Sequence, residues 1–373
     1  MKLLVISGAP LIPSAEGWKA YSPYVKEMAL WAKYADDVQF CCPIWETDRG
    51  LLISEVPFDI QAPIRLKEFS MTSFSEVLKS VFAIVVNLVI MIKAMQKADH
   101  IHLRCPGNVG LLGCIVQILF PNKPKTAKYA GNWDPKAKQP SSYRIQKWIL
   151  SNTFLTKNMQ VLVYGEWEGS SRNIKPFFTA TYHESDKELI QRRLLDKEIK
   201  MIFVGTLSEG KRPLYAVQLV EELRKKGHNV KLDMYGEGNE REVLSDYIKK
   251  HQLEKVVCLK GNQNSQTIKA VYKESHFVLL PSKSEGWPKV LAEGMFWGCV
   301  PIATKVSCVP TMLNEEERGL LLTLDLDQDV NKVSQCIASE ADYVLKSEKA
   351  MAWSRNYTLD AFEAAIKQLL AFR

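Results

Sequence analysis

The sequence predicts an α/β protein of two parallel-sheet domains, and three observations predict it. Short apolar runs rich in Val, Ile, Phe and Tyr alternate with longer helix-like stretches, the pattern of parallel strands joined by crossover helices. The pattern runs once through the first half and restarts near residue 200. The length of 373 residues fits two domains at roughly 150 residues each.

Taken in order, the first half places strands at 2–7, 38–43, 100–105, 126–130 and 160–164, with helices at 18–33, 74–97 and 142–152. The polar segment 184–200 reads as a linker with a charged helix, and the boundary is set at 190/191. The second half places strands at 200–204, 231–235, 256–259, 277–280 and 300–303, separated by helices at 213–226, 240–251, 265–274 and 288–297. Domains are therefore expected at 1–190 and 191–349. Apolar side chains at helical spacing from Trp353 to Leu370 make 350–373 a terminal helix.

Hydrophobic residues at 46% and charged ones at 24% are the proportions of an ordered globular chain and exclude a disordered or repetitive one. Eight cysteines without a C-x-x-C pair or histidines at zinc spacing read as free thiols in a reducing cytoplasm. The amino terminus has one lysine and a short apolar run and reads as a first strand rather than an export signal. The formal charge of +7 suits an anionic small molecule or an acidic membrane surface. Lys and Arg are spread along the chain without a basic and aromatic stripe, which weighs against nucleic acid. The apolar run 81–92 falls short of the roughly 20 residues needed to span a bilayer, leaving a buried helix or a peripheral membrane-contacting face.

The most informative stretch is PSKSEGWPKVLAEGMFWGCVPIAT, residues 281–304. Glu285 sits in the loop after an apolar strand, Pro288 opens a helix, Glu293 lies about a turn and a half into it, and Gly298 closes it. Ligands of open α/β sheets bind at that carboxyl edge, and a helix amino terminus there suits an anion such as diphosphate. Two carboxylates flanking it can accept hydrogen bonds from the sugar and ribose hydroxyls of a nucleotide-sugar.

This stretch resembles the E-x7-E signature of the retaining glycosyltransferases of family 4. The resemblance extends to FVGTLSEGKRP (203–213), MYGEGNE (234–240) and VVCLKGN (256–262), in the family's order. It implies a GT-B architecture, two Rossmann-like domains facing across a cleft, with the terminal helix packing back on the first. It further implies that Glu285 contacts the donor sugar and that Lys211 neutralises the diphosphate. Gly286 and Trp287 would offer it backbone amides, and Glu293 would bind the ribose. Gly205, Gly236, Leu259 and Lys260 would line the nucleotide. Gly236 and Gly238 are equally compatible with a plain turn, and Lys211 with a solvated loop lysine. Where the family usually has an arginine after its first-loop glycine, this chain has Thr206, which shifts phosphate stabilisation toward Lys211, Arg212 and Lys289.

In the first half, Gly17 matches the family's glycine loop near the donor phosphate, and Arg104 stands at the second position of its histidine pair, with Asn108 nearby. Asn132, Trp133 and Asp134 suit a sugar acceptor by stacking and hydrogen bonding, or an Asx-type turn before Pro135. Glu166 takes a similar place. The resemblance implies no cofactor and no metal beyond a nucleoside diphosphate sugar donor, UDP or GDP. The acceptor would be a glycan or a lipid-linked molecule, in the cytoplasm or at the inner face of its membrane. A sugar-nucleotide epimerase or phosphorylase of the same architecture, and a catalytically silent nucleotide-sugar-binding protein, are the rival readings.

Overall fold

The computed structural model describes residues 1–69, 74–195 and 197–371. Asp196, inside the expected linker, and residues 372 and 373, at the end of the expected terminal helix, lie outside them. The chain divides into two compact units, Met1–Phe177 with Phe362–Arg373, and Phe178–Ala361. The division thus falls ahead of residue 190, and the last ten or so residues group with the first unit.

The first unit contains β1 (Lys2–Ile6), β2 (Ile12–Ser14), β3 (Gly17–Tyr21), α1 (Ser22–Ala32), β4 (Asp37–Cys42), β5 (Ile53–Glu55) and β6 (Gln61–Arg65). There follow α2 (Phe74–Lys97), β7 (His100–Cys105), α3 (Asn108–Val116), β8 (Lys125–Tyr129), α4 (Ser141–Ser151), β9 (Met159–Tyr164) and β10 (Ile174–Phe177). Seven strands form one parallel sheet in the order β10-β9-β8-β7-β1-β4-β6. Its central strands are apolar on both faces, as a sheet covered by helices on both sides requires; Leu3, Leu4, Val5 and Ile6 are wholly buried.

The expected helix at 18–33 is shorter than its pattern. Residues 17–21 pair antiparallel with β2 and β5, because a two-residue turn at Ala15 and Glu16 folds them back, and the helix starts only at Ser22 beside Pro23. Two features of α1 matter later. Trp31 packs its ring 4.1 Å from that of His102, so that this histidine, hydrogen-bonded to Thr126 Oγ1 at 2.9 Å, is a core residue. Glu27 lies between Arg104, with which it pairs, and Lys128, whose Nζ stands 2.8 Å from Glu27 Oε2. Lys128 is only 1% exposed and lies within 5.6 Å of the ring centres of Tyr164, Phe177 and Phe362.

The second unit contains β11 (Ile199–Val204), α5 (Pro213–Lys225), β12 (Val230–Tyr235), α6 (Arg241–Lys250), β13 (Val257–Gly261), α7 (Ser265–Glu274) and β14 (Phe277–Leu280). There follow α8 (Lys289–Phe296), β15 (Val300–Thr304), α9 (Val309–Leu313), β16 (Leu320–Leu322), α10 (Leu326–Ala338) and α11 (Glu340–Ser354), and the chain then enters α12 (Leu359–Ala371), of which only the first three residues belong to this unit. Its sheet runs β13-β12-β11-β14-β15-β16, all parallel, and the order reverses between β11 and β14. Its core is formed by Met201, Phe203, Val217, Val220, Leu232 and Phe277 with their neighbours.

Two expectations change here. Among the described residues the charged helix in 184–200 is a single 3-10 turn at Glu184–Asp186; Lys187 pairs with Glu184 inside the segment, but several of its other charges reach other elements. Arg193 donates to the carbonyls of Lys273 and Trp297, Asp186 pairs with Lys269, and Glu188 pairs with Lys273. The single terminal helix is two, α11 and α12, broken where the Thr358 hydroxyl accepts from the amide of Ala361 and donates to Glu184. From Phe362 onward α12 groups with the first unit, its Phe362 ring 5.2 Å from that of Phe177 and its Glu363 accepting from Lys33 and Tyr34.

Burial pushes the Glu27 carboxyl up, but Arg104 and Lys128 outweigh it and hold the group well below its ordinary value of 4.5. A carboxyl lowered in this way contributes stability above the ordinary value and loses it as pH falls through the folded one. Replacing Glu27 with Gln leaves two cations without their carboxylate and is expected to cost about 3–5 kcal/mol in urea unfolding at neutral pH. The variant is also expected to show a flatter loss of stability than the wild type on acidification below pH 4.5. Equal midpoints for the two proteins would remove this cluster from the stability of the unit.

Candidate active site

In the second unit the strand order reverses between β11 and β14, and the loops leaving these two strands are 205–212 and 281–288. Such a reversal opens a crevice at the carboxyl edge, since the crossovers from the two strands leave in opposite directions. Both residues expected to carry the chemistry stand there: Lys211 Nζ lies 2.6 Å from Glu285 Oε1. The carboxylate is 9% exposed and the lysine 30%, so the pair is partly withdrawn from water.

The two loops are tied by more than this pair. The amide of Lys283 donates to the Gly210 carbonyl at 2.8 Å, its side chain pairs with Glu209, and Arg212 donates to the Pro281 carbonyl at 3.3 Å. Arg212 takes a left-handed conformation, φ 48°, at the junction from the 3-10 turn Glu209–Lys211 into α5. From the other side the loop is braced by the strand β15 region. Thr304 donates to the Ser282 carbonyl at 2.5 Å, and Ser307 Oγ donates to the Gly286 carbonyl at 3.1 Å. The helix α8 begins at Lys289, one residue after the proline expected to open it, and Gly298, with φ 78°, ends it.

The glycines at 236 and 238 are more than a turn. A Cβ on Gly236 would lie 1.9 Å from the carbonyl oxygen of Gly205, and one on Gly238 would lie 2.2 Å from that of Leu207. The two loops are laid backbone against backbone, joined by bonds from the Gly205 amide to Tyr235 and from the Leu207 amide to Glu237. Thr206 stands exposed between them. Leu259 is half-buried in the middle of β13, and Lys260 is exposed with its Nζ 3.8 Å from Asp233.

Glu293 projects from α8 toward the segment that opens the second unit, where Thr181 Oγ1 donates to its Oε1 at 2.7 Å. Burial first, and the Glu293 carboxylate second, hold the Tyr272 hydroxyl well above its ordinary value, so it stays protonated beside that carboxylate. Trp287 is nearly buried, stacked 6.1 Å from Trp353 and packed on Tyr357 and Phe178. This fixes the backbone at the start of α8. Lys289 remains half-buried on the first turn.

The residues expected on the acceptor side separate in the first unit. Arg104 is paired with Glu27 beneath the edge of the sheet, a partner that the sequence reading missed. A glutamate on a helix and a lysine inside a strand were the available signals. Trp133 is 4% exposed, edge-on to Tyr129 at 4.8 Å, and so cannot stack on an acceptor. Asn132 accepts from the Asp134 amide and Asp134 from the Lys136 amide, the Asx-turn alternative. Asn108 is half-buried at the first residue of α3, Glu166 is exposed after β9, and Gly17, φ 135°, is exposed at the tip of the β2–β3 hairpin.

Residues 185–369 match the family described as glycosyl transferases group 1. The amylovoran biosynthesis glycosyltransferase AmsD of Erwinia amylovora is 25% identical over 207 residues, covering 56% of this chain and 54% of that protein. The alignments to the first curated relatives span about a third of those proteins' length. Among solved structures, sucrose-phosphate synthase from Thermosynechococcus elongatus superposes with a TM-score of 0.65 at 18% identity, covering 99% of this chain and 98% of that one. Anabaena HepE in complex with UDP and glucose does so with a TM-score of 0.68 at 13% identity and the same coverage. These likenesses establish the fold as GT-B, with its two Rossmann-like units. The match to the glycosyl transferases group 1 family thus covers 185 of the 373 residues, most of them in the second unit.

Proposed function

We propose that this protein is a retaining glycosyltransferase that moves a sugar from a nucleoside diphosphate donor, UDP or GDP, to a hydroxyl of a glycan or lipid-linked acceptor in the cytoplasm. Polysaccharide or glycolipid assembly is its setting. The observation that carries the reading is the Lys211–Glu285 pair, 2.6 Å apart at the reversal of strand order, with Glu293 on the helix behind it. A relative of amylovoran biosynthesis and a structural neighbour holding UDP and glucose support it.

In the proposed step the bond from the sugar's anomeric carbon to the diphosphate oxygen breaks. The acceptor oxygen bonds to that carbon on the same face, and the departing diphosphate takes the acceptor proton. The lysine ammonium has three N–H donors, so Lys211 can keep one on Glu285 and turn others to the diphosphate. Glu285 accepts from the sugar hydroxyls and stabilises positive charge near the anomeric carbon, and Glu293, oriented by Thr181, accepts from the ribose. Positioning and fixed charge supply the catalysis. With Lys211, Arg212, Lys289 and the amides of Gly286 and Trp287 doing this work, no metal is required. Asn108 and Glu166 are the groups left available to acceptor hydroxyls on the first unit.

A thermal-shift screen against UDP, GDP, ADP, dTDP and CMP is expected to single out one nucleotide. Saturation at a hundred times its dissociation constant stabilises the folded state by about 2.7 kcal/mol. Glu293→Ala and Lys211→Ala are expected to lose most of that shift, and stabilisation by none of the five would overturn the donor site. With that donor in hand, Glu285→Gln is expected to lower kcat about 10²–10³-fold with a smaller change in KM, as loss of one transition-state contact does. Turnover is expected to survive chelator; restoration by magnesium of an activity that chelator abolishes would reject the metal-free mechanism.

A further inference from the structure

The helices on one face of the first sheet carry a surface that the donor chemistry does not use. Of the sixteen exposed large hydrophobic side chains among the described residues, nine lie between 81 and 154. They belong to α2, α3, α4 and the turns after them, and α2 packs on α3 and α3 on α4. The expectation of a buried helix for 81–92 holds for one side of α2 only. Its inner side is core, with Met91 and Met95 wholly buried. Its outer side presents Phe82, Val85 and Val89, one stripe at helical spacing, and α4, on the far side of α3, presents Ile145 and Trp148.

The charge of this region is as uneven as its polarity. Residues 77–165 hold twelve Lys or Arg against two Asp, and with Arg104 and Lys128 drawn in to Glu27 and Lys125 buried, the nine that remain still outnumber the two Asp. Cations also sit over the exposed rings: Lys67 Nζ is 4.4 Å from the centre of Phe82, and Lys157 Nζ is 5.3 Å from that of Phe154. Lys93, Lys97 and Arg144 are exposed on the same helices.

We propose that this α2–α3–α4 face is a docking surface for an anionic lipid bilayer. Basic side chains meet the phosphate headgroups while Phe82, Trp148 and Phe154, exposed by 69, 63 and 75%, enter the boundary of the acyl region. The protein lies on the bilayer and does not span it with α2. Although the 18 residues of Ser80–Lys97 have a mean hydropathy of 1.6, Asn87 within them is buried and exchanges two hydrogen bonds with the backbone of Lys67. The inner half of the helix is already occupied by the sheet. A protein partner would need an apolar surface ringed by carboxylates, whereas a bilayer rich in acidic lipid supplies both properties over the whole face.

The test is sedimentation of the full chain with vesicles, which reads nothing of donor binding and can succeed or fail independently of the proposed activity. The protein is expected to bind vesicles of phosphatidylcholine mixed with phosphatidylglycerol, to ignore phosphatidylcholine alone, and to release as salt rises. Phe82→Ser, Trp148→Ser and Phe154→Ser together are expected to weaken partition about tenfold or more at an unchanged melting temperature. Arg144→Glu with Lys157→Glu is expected to weaken it at low salt alone. The proposal is overturned if acidic vesicles capture no protein, or if the serine variant binds as well as the wild type. It is also overturned if light scattering finds a dimer that the serine substitutions dissociate, which would make a second copy of the chain the occupant.

Discussion

The candidate site depends on one constraint: the loops leaving β11 and β14 are held against each other where the strand order reverses. The Lys211–Glu285 ion pair lies at the centre of that arrangement, and the backbone bond from Lys283 to Gly210 fixes the spacing behind it. An ion pair on two free loops would be worth little, because both side chains would lose entropy to form it. Here the loops are already placed, so the carboxylate and the ammonium are held in register before a ligand arrives. The glycines complete the frame. Gly236 and Gly238 let the loop after β12 lie on the backbone of Gly205 and Leu207, an approach that any side chain would block.

Each unit spends polar groups differently at the same edge of its sheet. In the second unit they are half-buried and face the loops, where a nucleotide's hydroxyls and phosphates would exchange with them. In the first, Glu27, Arg104 and Lys128 are drawn under the edge and neutralise one another in part. The aromatic rings of Tyr164, Phe177 and Phe362 around Lys128 add to this, since a cation over a ring face is attracted by its quadrupole. Arg104 therefore acts through the architecture of the edge.

The two faces of the first sheet are also unlike. Helix α1 covers one with Trp31 against His102, together with the end of α12, and the result is closed and well partnered. The opposite face is covered by helices whose outer surfaces remain apolar and whose neighbourhood is strongly basic. Hydrophobic side chains scattered singly over a surface call for no explanation, but nine gathered on three successive helices and the turns after them do.

Much of this was legible from residues alone. The alternation of apolar runs and helical stretches determined two parallel-sheet units, because strand and helix periods differ and buried parallel strands must be apolar on both sides. The loop of Glu285 and the helix of Glu293 followed from local rules, a strand end, a proline and a glycine. Tertiary structure alone decided what no local rule contains. Whether a lysine in a loop meets a carboxylate 74 residues away, whether Trp133 faces an acceptor or the core, and whether 18–21 is helix or strand depend on partners distant in sequence. The same holds for several charges of 184–200, which reach Lys269, Lys273 and the carbonyls of other elements in place of the helix their spacing allows. Sequence spacing fixes what an element can present along itself; which groups lie opposite is set by the packing of elements that are far apart in the chain.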